Sequence, residues 1–184
     1  ANRSVLFSPE GEIVDFYDKI HLFDAELGGD QSYKESATFR GGNRAVVTQI
    51  ADMKLGMSIC YDLRFASLYR QLAQAGAQLV SLPSAFTVPT GKAHWQVLAR
   101  ARAIETGCYI IAAAQGGTHE NGRATYGHSM IIDPWGRIIA EKKDDTPGLI
   151  VAKINVEEVK KARIKLPALA NRAVFSLSVN HNEA

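Results

Sequence analysis

Short apolar runs separated by polar turns dominate the chain, and two segments switch to helical spacing. Residues 3–8 and 13–17 are strand-like. They flank Pro9-Glu10-Gly11-Glu12, a turn in which Gly11 can take a positive φ, so they predict a hairpin. A second strand pair is expected at 45–50 and 54–59, around Ala51-Asp52-Met53. Residues 64–75 place Leu68, Leu72 and Ala75 near helical spacing and stop at Gly76, which predicts a helix. A short buried strand follows at 78–82. Residues 90–105 predict a long helix ended by Gly107, with Trp95, Leu98, Ala101 and Ile104 on its apolar face. The apolar run at 108–114 does not alternate, as in a strand covered on both faces. Further strands are expected at 127–133, 137–141 and 149–154. The first two are joined by Asp133-Pro134-Trp135-Gly136, whose order fits a type I turn. A helix over 156–164 precedes a tail. Residues 25–43 read as a polar loop bracketed by Gly28, Gly29, Gly41 and Gly42, and long loops inside a domain are usually functional. Strands alternating with two good helices, then a strand-rich stretch, predict an α/β layered fold.

Composition narrows the classes of function. The 184 residues suit one domain with a sizeable core. Apolar content of 46% and charged content of 22% are ordinary for a soluble globular protein. A formal charge of +2, with signs interspersed, gives no reason to expect nucleic acid or a membrane surface as partner. No apolar run has transmembrane length, and no signal-peptide series opens the chain. Cys60 and Cys108 form no disulfide framework, which suits a reducing cytoplasm. No glycine-rich phosphate fingerprint follows a strand, and His21, His94, His119 and His128 lack metal-ligand spacing. Neither cofactor nor metal is therefore expected. The abrupt start at Ala1, directly into a strand-like stretch, leads us to expect the later part of a longer protein.

Cys60 carries the chemistry most legibly. It ends the apolar strand at 54–59 and precedes Tyr61-Asp62-Leu63-Arg64 and a helix. Helix-start N–H groups favour a thiolate, and the Tyr61 N–H can serve an oxyanion. Cys108, inside an apolar strand, reads as core filling. Lys19 lies 41 positions before Cys60, at a strand end, in Tyr17-Asp18-Lys19-Ile20-His21-Leu22. A cation there can stabilise a tetrahedral oxyanion and lower a thiol pKa. Phe86 and Thr87 follow the strand at 78–82, where α/β sites gather. Arg64 could bind a substrate carboxylate through its planar fork, or pair with Asp62 or Glu105.

The lysine motif, Cys60-Tyr61-Asp62-Leu63-Arg64-Phe65, Arg100-Ala101-Arg102-Ala103-Ile104-Glu105 and Gly127-His128-Ser129 with Asp133-Pro134-Trp135-Gly136 together resemble the nitrilase superfamily of carbon–nitrogen hydrolases, in its amidase-like branch. Asp18 stands where that family usually has arginine. The resemblance implies a Glu–Lys–Cys triad built on Cys60 and Lys19, with its first glutamate upstream of residue 1. It also implies a second, lysine-orienting glutamate in the loop, for which Glu35 fits better by position than Glu26. Tyr61, Arg64, Phe86 and Thr87 become the oxyanion and substrate-binding candidates. The implied fold is an α-β-β-α sandwich lacking its N-terminal strands and helices, with residues 1–184 as one domain, often in homodimers or larger homo-oligomers. The implied activity is cofactor-independent hydrolysis of small amides, many bearing a carboxylate, through an acyl-thioester. Two other classes remain open: a Cys–His hydrolase using His94 or His128, and a catalytically inactive chain serving as a binding or assembly module.

Overall fold

In the computed structural model, residues 1–28, 32–171 and 173–179 are described. Gly29, one of the loop-bracketing glycines, lies outside them. The chain opens with the expected hairpin of β1 (Arg3–Phe7) and β2 (Ile13–Asp18). Residues 25–43 are more ordered than a loop. They contain a small hairpin of β3 (Asp24–Glu26) and β4 (Ser32–Lys34), then a 3-10 turn at Glu35–Ala37. Polar composition hid that hairpin, because three-residue strands are too short for an alternation signal.

A six-stranded mixed sheet forms the centre. It uses β5 (Val47–Ile50), β6 (Met53–Met57), β7 (Leu79–Ser81), β8 (Tyr109–Ala112), β11 (Ser129–Ile132) and β12 (Ile138–Lys142). Their spatial order is β12-β11-β8-β7-β6-β5. β6, β7 and β8 are parallel, and the outer pairings are antiparallel. A separate hairpin, β9 (Gly116–Thr118) with β10 (Ala124–Tyr126), is inserted between β8 and β11. The parallel crossovers contain α1 (Ala66–Gln74), then α2 (Val88–Thr90), one π turn and α3 (Gln96–Thr106). Gly107 ends α3 at φ 60, a left-handed position that glycine takes without a Cβ penalty. After β12, α4 (Val156–Lys165) is capped by the Asn155 side chain, which accepts the Glu157 N–H.

The period-2 pleat divides the core between the two faces of the sheet. Val80 and Ile110 face Leu68, Leu72, Trp95, Ala99 and Ala103 of the helical layer. Leu55, Met57, Leu79 and Tyr109 face Tyr17 of β2 and Val159 of α4. Strands buried on both sides need no polar alternation, hence the continuous apolar run around β8.

Two expectations need correction. No strand forms at 149–154 among the described residues, and Leu149 and Val151 are 93% and 85% exposed. Apolar composition alone makes no strand without a ladder partner. The apolar face of α3 is also rotated. Its buried members are Ala99, Arg102, Ala103 and Thr106, whereas Ile104 is half exposed. Arg102 can be buried because its Nε donates to the Leu63 carbonyl at 2.9 Å and its other arm reaches Glu105.

Candidate active site

The carboxyl ends of the three parallel strands converge on one cleft. Its wall includes Ile59 and Cys60 after β6, Pro83, Ser84, Ala85 and Thr87 after β7, and Ala113 to Gln115 after β8. Open α/β sheets place ligand sites at this edge. The cleft, with a volume of about 1080 Å³, also receives Lys19 from the end of β2 and Glu35 from the turn after β4. Lys19, Glu35, Cys60 and Thr87 therefore share one wall system although they come from four separate segments. Tyr61, Arg64 and Phe86 are not among its lining residues. Phe86 packs on Trp95 with ring centroids 4.9 Å apart, and Arg64 lies 3.3 Å from His94 Nδ1, between the Tyr61 and Phe86 rings. Arg64 makes neither of the ion pairs considered for it.

Cys60 occupies a sharp 3-10 turn, Cys60–Arg64, at the end of β6. Its φ is 47, a left-handed value uncommon for a residue with a side chain. The surroundings hold it there. Cys60 N–H donates to the Pro83 carbonyl at 2.9 Å, and Arg102 clamps the far end of the turn at Leu63. The strained elbow presents the thiol at the strand end while the next N–H groups stay near the turn.

Asp62 ties this turn to the lysine segment. Its fully buried carboxylate accepts the Tyr17 hydroxyl at 2.7 Å, the Ile59 N–H at 2.9 Å and the His21 N–H at 3.1 Å. The His21 Nδ1 also lies 2.7 Å from it; facing a carboxylate, that nitrogen is the donor. The His21 ring stacks on Phe65 at 3.6 Å. Two residues flanking Lys19 are thus fastened two residues beyond Cys60. Gly42 closes the same corner. Its N–H donates to the Lys19 carbonyl, and a Cβ on it would meet the Asp18 carbonyl oxygen at 2.3 Å.

The Lys19 ammonium is 3% exposed and lies 2.5 Å from Glu35 Oε2. Glu35 also accepts from the Asn2 amide at 3.0 Å and the Phe23 N–H at 2.6 Å. Burial pushes the Glu35 carboxyl up, but the hydrogen bonds from Asn2, Lys19 and Phe23 outweigh it, so the net displacement is downward. Glu35 is therefore an ionised acceptor that holds the lysine, not a proton donor near neutral pH. Glu26, the alternative, bonds Ser32 at 2.6 Å in an exposed position.

The Cys60 thiol departs from the sequence expectation. Burial pushes its pKa above the ordinary thiol value, and the Ala85 backbone N–H and the Lys19 charge offset only part of that rise. The thiolate is the reactive form, so a raised pKa moves reactivity to the alkaline side. Cys60 is partly exposed, whereas Cys108 is buried against Ala77 and Arg163. Iodoacetamide should label Cys60 first, because it is partly exposed and Cys108 is buried. Peptide mass spectrometry would check it, and labelling that favours Cys108 would contradict the geometry.

Of the candidate general-base histidines, His94 faces Arg64, and His128 stacks on Tyr126 near Glu141. Neither lines the cleft; His119 does. No group of three or more metal-ligating side chains occurs among the described residues. No helix among them is long and apolar enough to cross a membrane. Sequence reasoning named Asp62 only as a possible partner of Arg64, placed Arg102 in the 100–105 motif without its burial, and did not reach the β9–β10 side chains. A carboxylate set between Tyr61 and Leu63 was the available signal for Asp62.

Comparison with known proteins bears on the family and the fold. The carbon-nitrogen hydrolase family profile covers residues 1–164. A deaminated glutathione amidase of Synechocystis is 47% identical over 93% of this chain and 63% of its own length. The human deaminated glutathione amidase is 45% identical, over 93% and 52%. The chain therefore spans between about half and two-thirds of these relatives' length. The C. elegans NitFhit crystal structure superposes with a TM-score of 0.79 at 40% identity, over 91% of this chain and 41% of that one. An amidase variant from Nesterenkonia sp. AN1, carrying an acrylamide Michael adduct on its active-site cysteine, superposes with a TM-score of 0.71 at 29% identity, over 90% and 61%. A mixed α/β sheet with a nitrilase-type fold, an elbow cysteine at its carboxyl edge and a family match along most of the chain lead to one conclusion: this chain belongs to the carbon-nitrogen hydrolase family.

Proposed function

We propose that the protein is a cofactor-independent amidase, with residues 1–184 as one hydrolase domain. The observation that carries this reading is the convergence of Cys60, the buried Lys19 and its partner Glu35 on one cleft. In this mechanism Cys60 loses its proton to a base and its sulfur attacks the amide carbonyl carbon. Lys19 and the Tyr61 N–H stabilise the tetrahedral oxyanion, and Glu35 holds the Lys19 ammonium in position. The C–N bond then breaks, the leaving nitrogen takes a proton and departs as an amine, or as ammonia from a primary amide, and a thioester remains. Water attacks the thioester, releasing the acid and restoring the thiol. The family resemblance assigns the proton transfers to a glutamate base.

The names of the relatives support an ω-amide substrate of the deaminated glutathione type. Exposed apolar side chains such as Val97, Trp135 and Phe175 support a homodimer or larger homo-oligomer. Free thiols support a cytoplasmic setting. The test is release of cysteinylglycine from deaminated glutathione by the intact protein and by Cys60→Ala. The reading expects turnover in the first and at least about a 1000-fold loss in the second. Turnover that survives Cys60→Ala, or no release from any amide, would overturn it.

A further inference from the structure

The Lys19–Glu35 pair has a third neighbour from a separate segment. Asn2 stands just before β1 and lines the cleft beside both residues. Its side-chain nitrogen donates to Glu35 Oε1 at 3.0 Å, and its carbonyl accepts the Lys19 N–H at 2.9 Å. Facing an ionised carboxylate, the amide must present its nitrogen, since its oxygen would meet another acceptor. One residue therefore grips the glutamate through its side chain and the lysine through its backbone. The β1–β2 ladder fixes where it stands. Arg3 pairs with Asp18 in register, and the Arg3 fork reaches the two Asp18 oxygens at 2.7 and 2.8 Å. Asn2 cannot slide along β2 without breaking that fork.

The two Glu35 oxygens are not used alike. Oε2 takes the Lys19 ammonium at 2.5 Å and the Phe23 N–H at 2.6 Å, whereas Oε1 takes Asn2. The last torsion of a glutamate side chain is broad, so donors gathered on one oxygen leave the carboxylate plane loosely set. A donor on the other oxygen pins that plane, and with it the direction from which the ammonium is held. The same contact favours the charged carboxylate, and without it burial would push the group up against fewer donors. The titratable groups around Glu35 are Lys19 on β2, the Cys60 thiol after β6 and Lys34 next in the chain. Arg3 is taken up by Asp18, and Asp24 by Ser36.

We infer that Asn2 is a positioning residue for the amidase reaction: by holding Glu35 through Oε1 and Lys19 through its backbone, it fixes where the lysine ammonium meets the oxyanion. The inference rests on the amidase reading. Asn2 acts through Glu35 and Lys19, not on the substrate.

Two measurements on the intact protein test it, one of them without turnover. Carboxyl-labelled glutamate NMR, with the Glu35 signal identified by its loss in Glu35→Gln, gives the pH at which Glu35 titrates. Asn2→Ala should move that titration upward by about one pH unit, the worth of a hydrogen bond to a charged group. Steady-state hydrolysis of deaminated glutathione should show kcat at least about tenfold lower in Asn2→Ala, with KM changed little. Asn2→Asp keeps the shape but sets an acceptor against Glu35. Its kcat relative to the unsubstituted protein should be lowest at alkaline pH and recover as pH falls, when one carboxyl of the new pair takes up a proton and becomes the donor. That pH signature belongs to a single variant, so a uniform loss of folded protein cannot produce it. A Glu35 titration unmoved in Asn2→Ala, a kcat within about twofold of the unsubstituted protein, or an Asn2→Asp deficit equal at every pH would overturn the inference. Absence of any hydrolysis by the unsubstituted protein would fail the amidase reading instead, and the Glu35 titration would still decide whether Asn2 holds the pair.

Discussion

Asp62→Ala should destabilise the protein by about 3–5 kcal/mol and abolish activity before the thiol itself is touched. The side chain is fully buried and accepts from the Tyr17 hydroxyl, the Ile59 N–H and the His21 N–H. Alanine would strand these donors in a dry interior, and each unsatisfied buried donor costs about 1–3 kcal/mol. Total stability of a domain is about 5–15 kcal/mol, so the loss is a large share of it. Asp62→Asn, which keeps the shape and one acceptor oxygen, should fall between. Chemical denaturation of the three proteins would measure the order. A loss under 1 kcal/mol for alanine would mean that the lysine segment and the cysteine turn are held together by other contacts.

Lys19→Ala should lower kcat by about 1000-fold while changing KM little, because the contact it removes strengthens as charge develops on the oxyanion. The change also leaves Glu35 without its cation. Glu35 would then keep only the Asn2 and Phe23 donors. Glu35→Gln should give a smaller loss, since it removes the counter-charge but leaves the lysine present. The Glu35 carboxyl is held below its ordinary value, so the pair stabilises the fold at neutral pH. That contribution fades as pH falls from the ordinary glutamate range through the depressed folded value. Steady-state kinetics on the two variants decide the point. A Lys19→Ala effect confined to KM would assign the lysine to ground-state binding.

Local features of the chain were readable in advance, and long-range ones were not. The first hairpin and the Gly107 stop each depend on neighbours within a few residues. Glycines, a turn tetrad and an apolar run therefore reveal them. Asp62 depends on Tyr17 and His21, 45 and 41 positions away, which no periodicity records. The face of α3 was misjudged because Arg102 counted as polar, although its partners at Leu63 and Glu105 let it sink inside. The stretch at 149–154 looked like a strand because apolar content shows burial or pairing potential but cannot name a partner. The Lys19–Glu35 contact was approachable through the family likeness.

The central claim is that Cys60 carries the acyl group during turnover. Mixing the intact protein with an ω-amide, quenching in acid within the first turnover and mapping peptides by mass spectrometry tests it directly. The account predicts an acyl mass, the amide less ammonia, on the peptide that contains Cys60 and on no other. Steady turnover with the acyl group on a different residue, or with no covalent intermediate at any quench time, would contradict it.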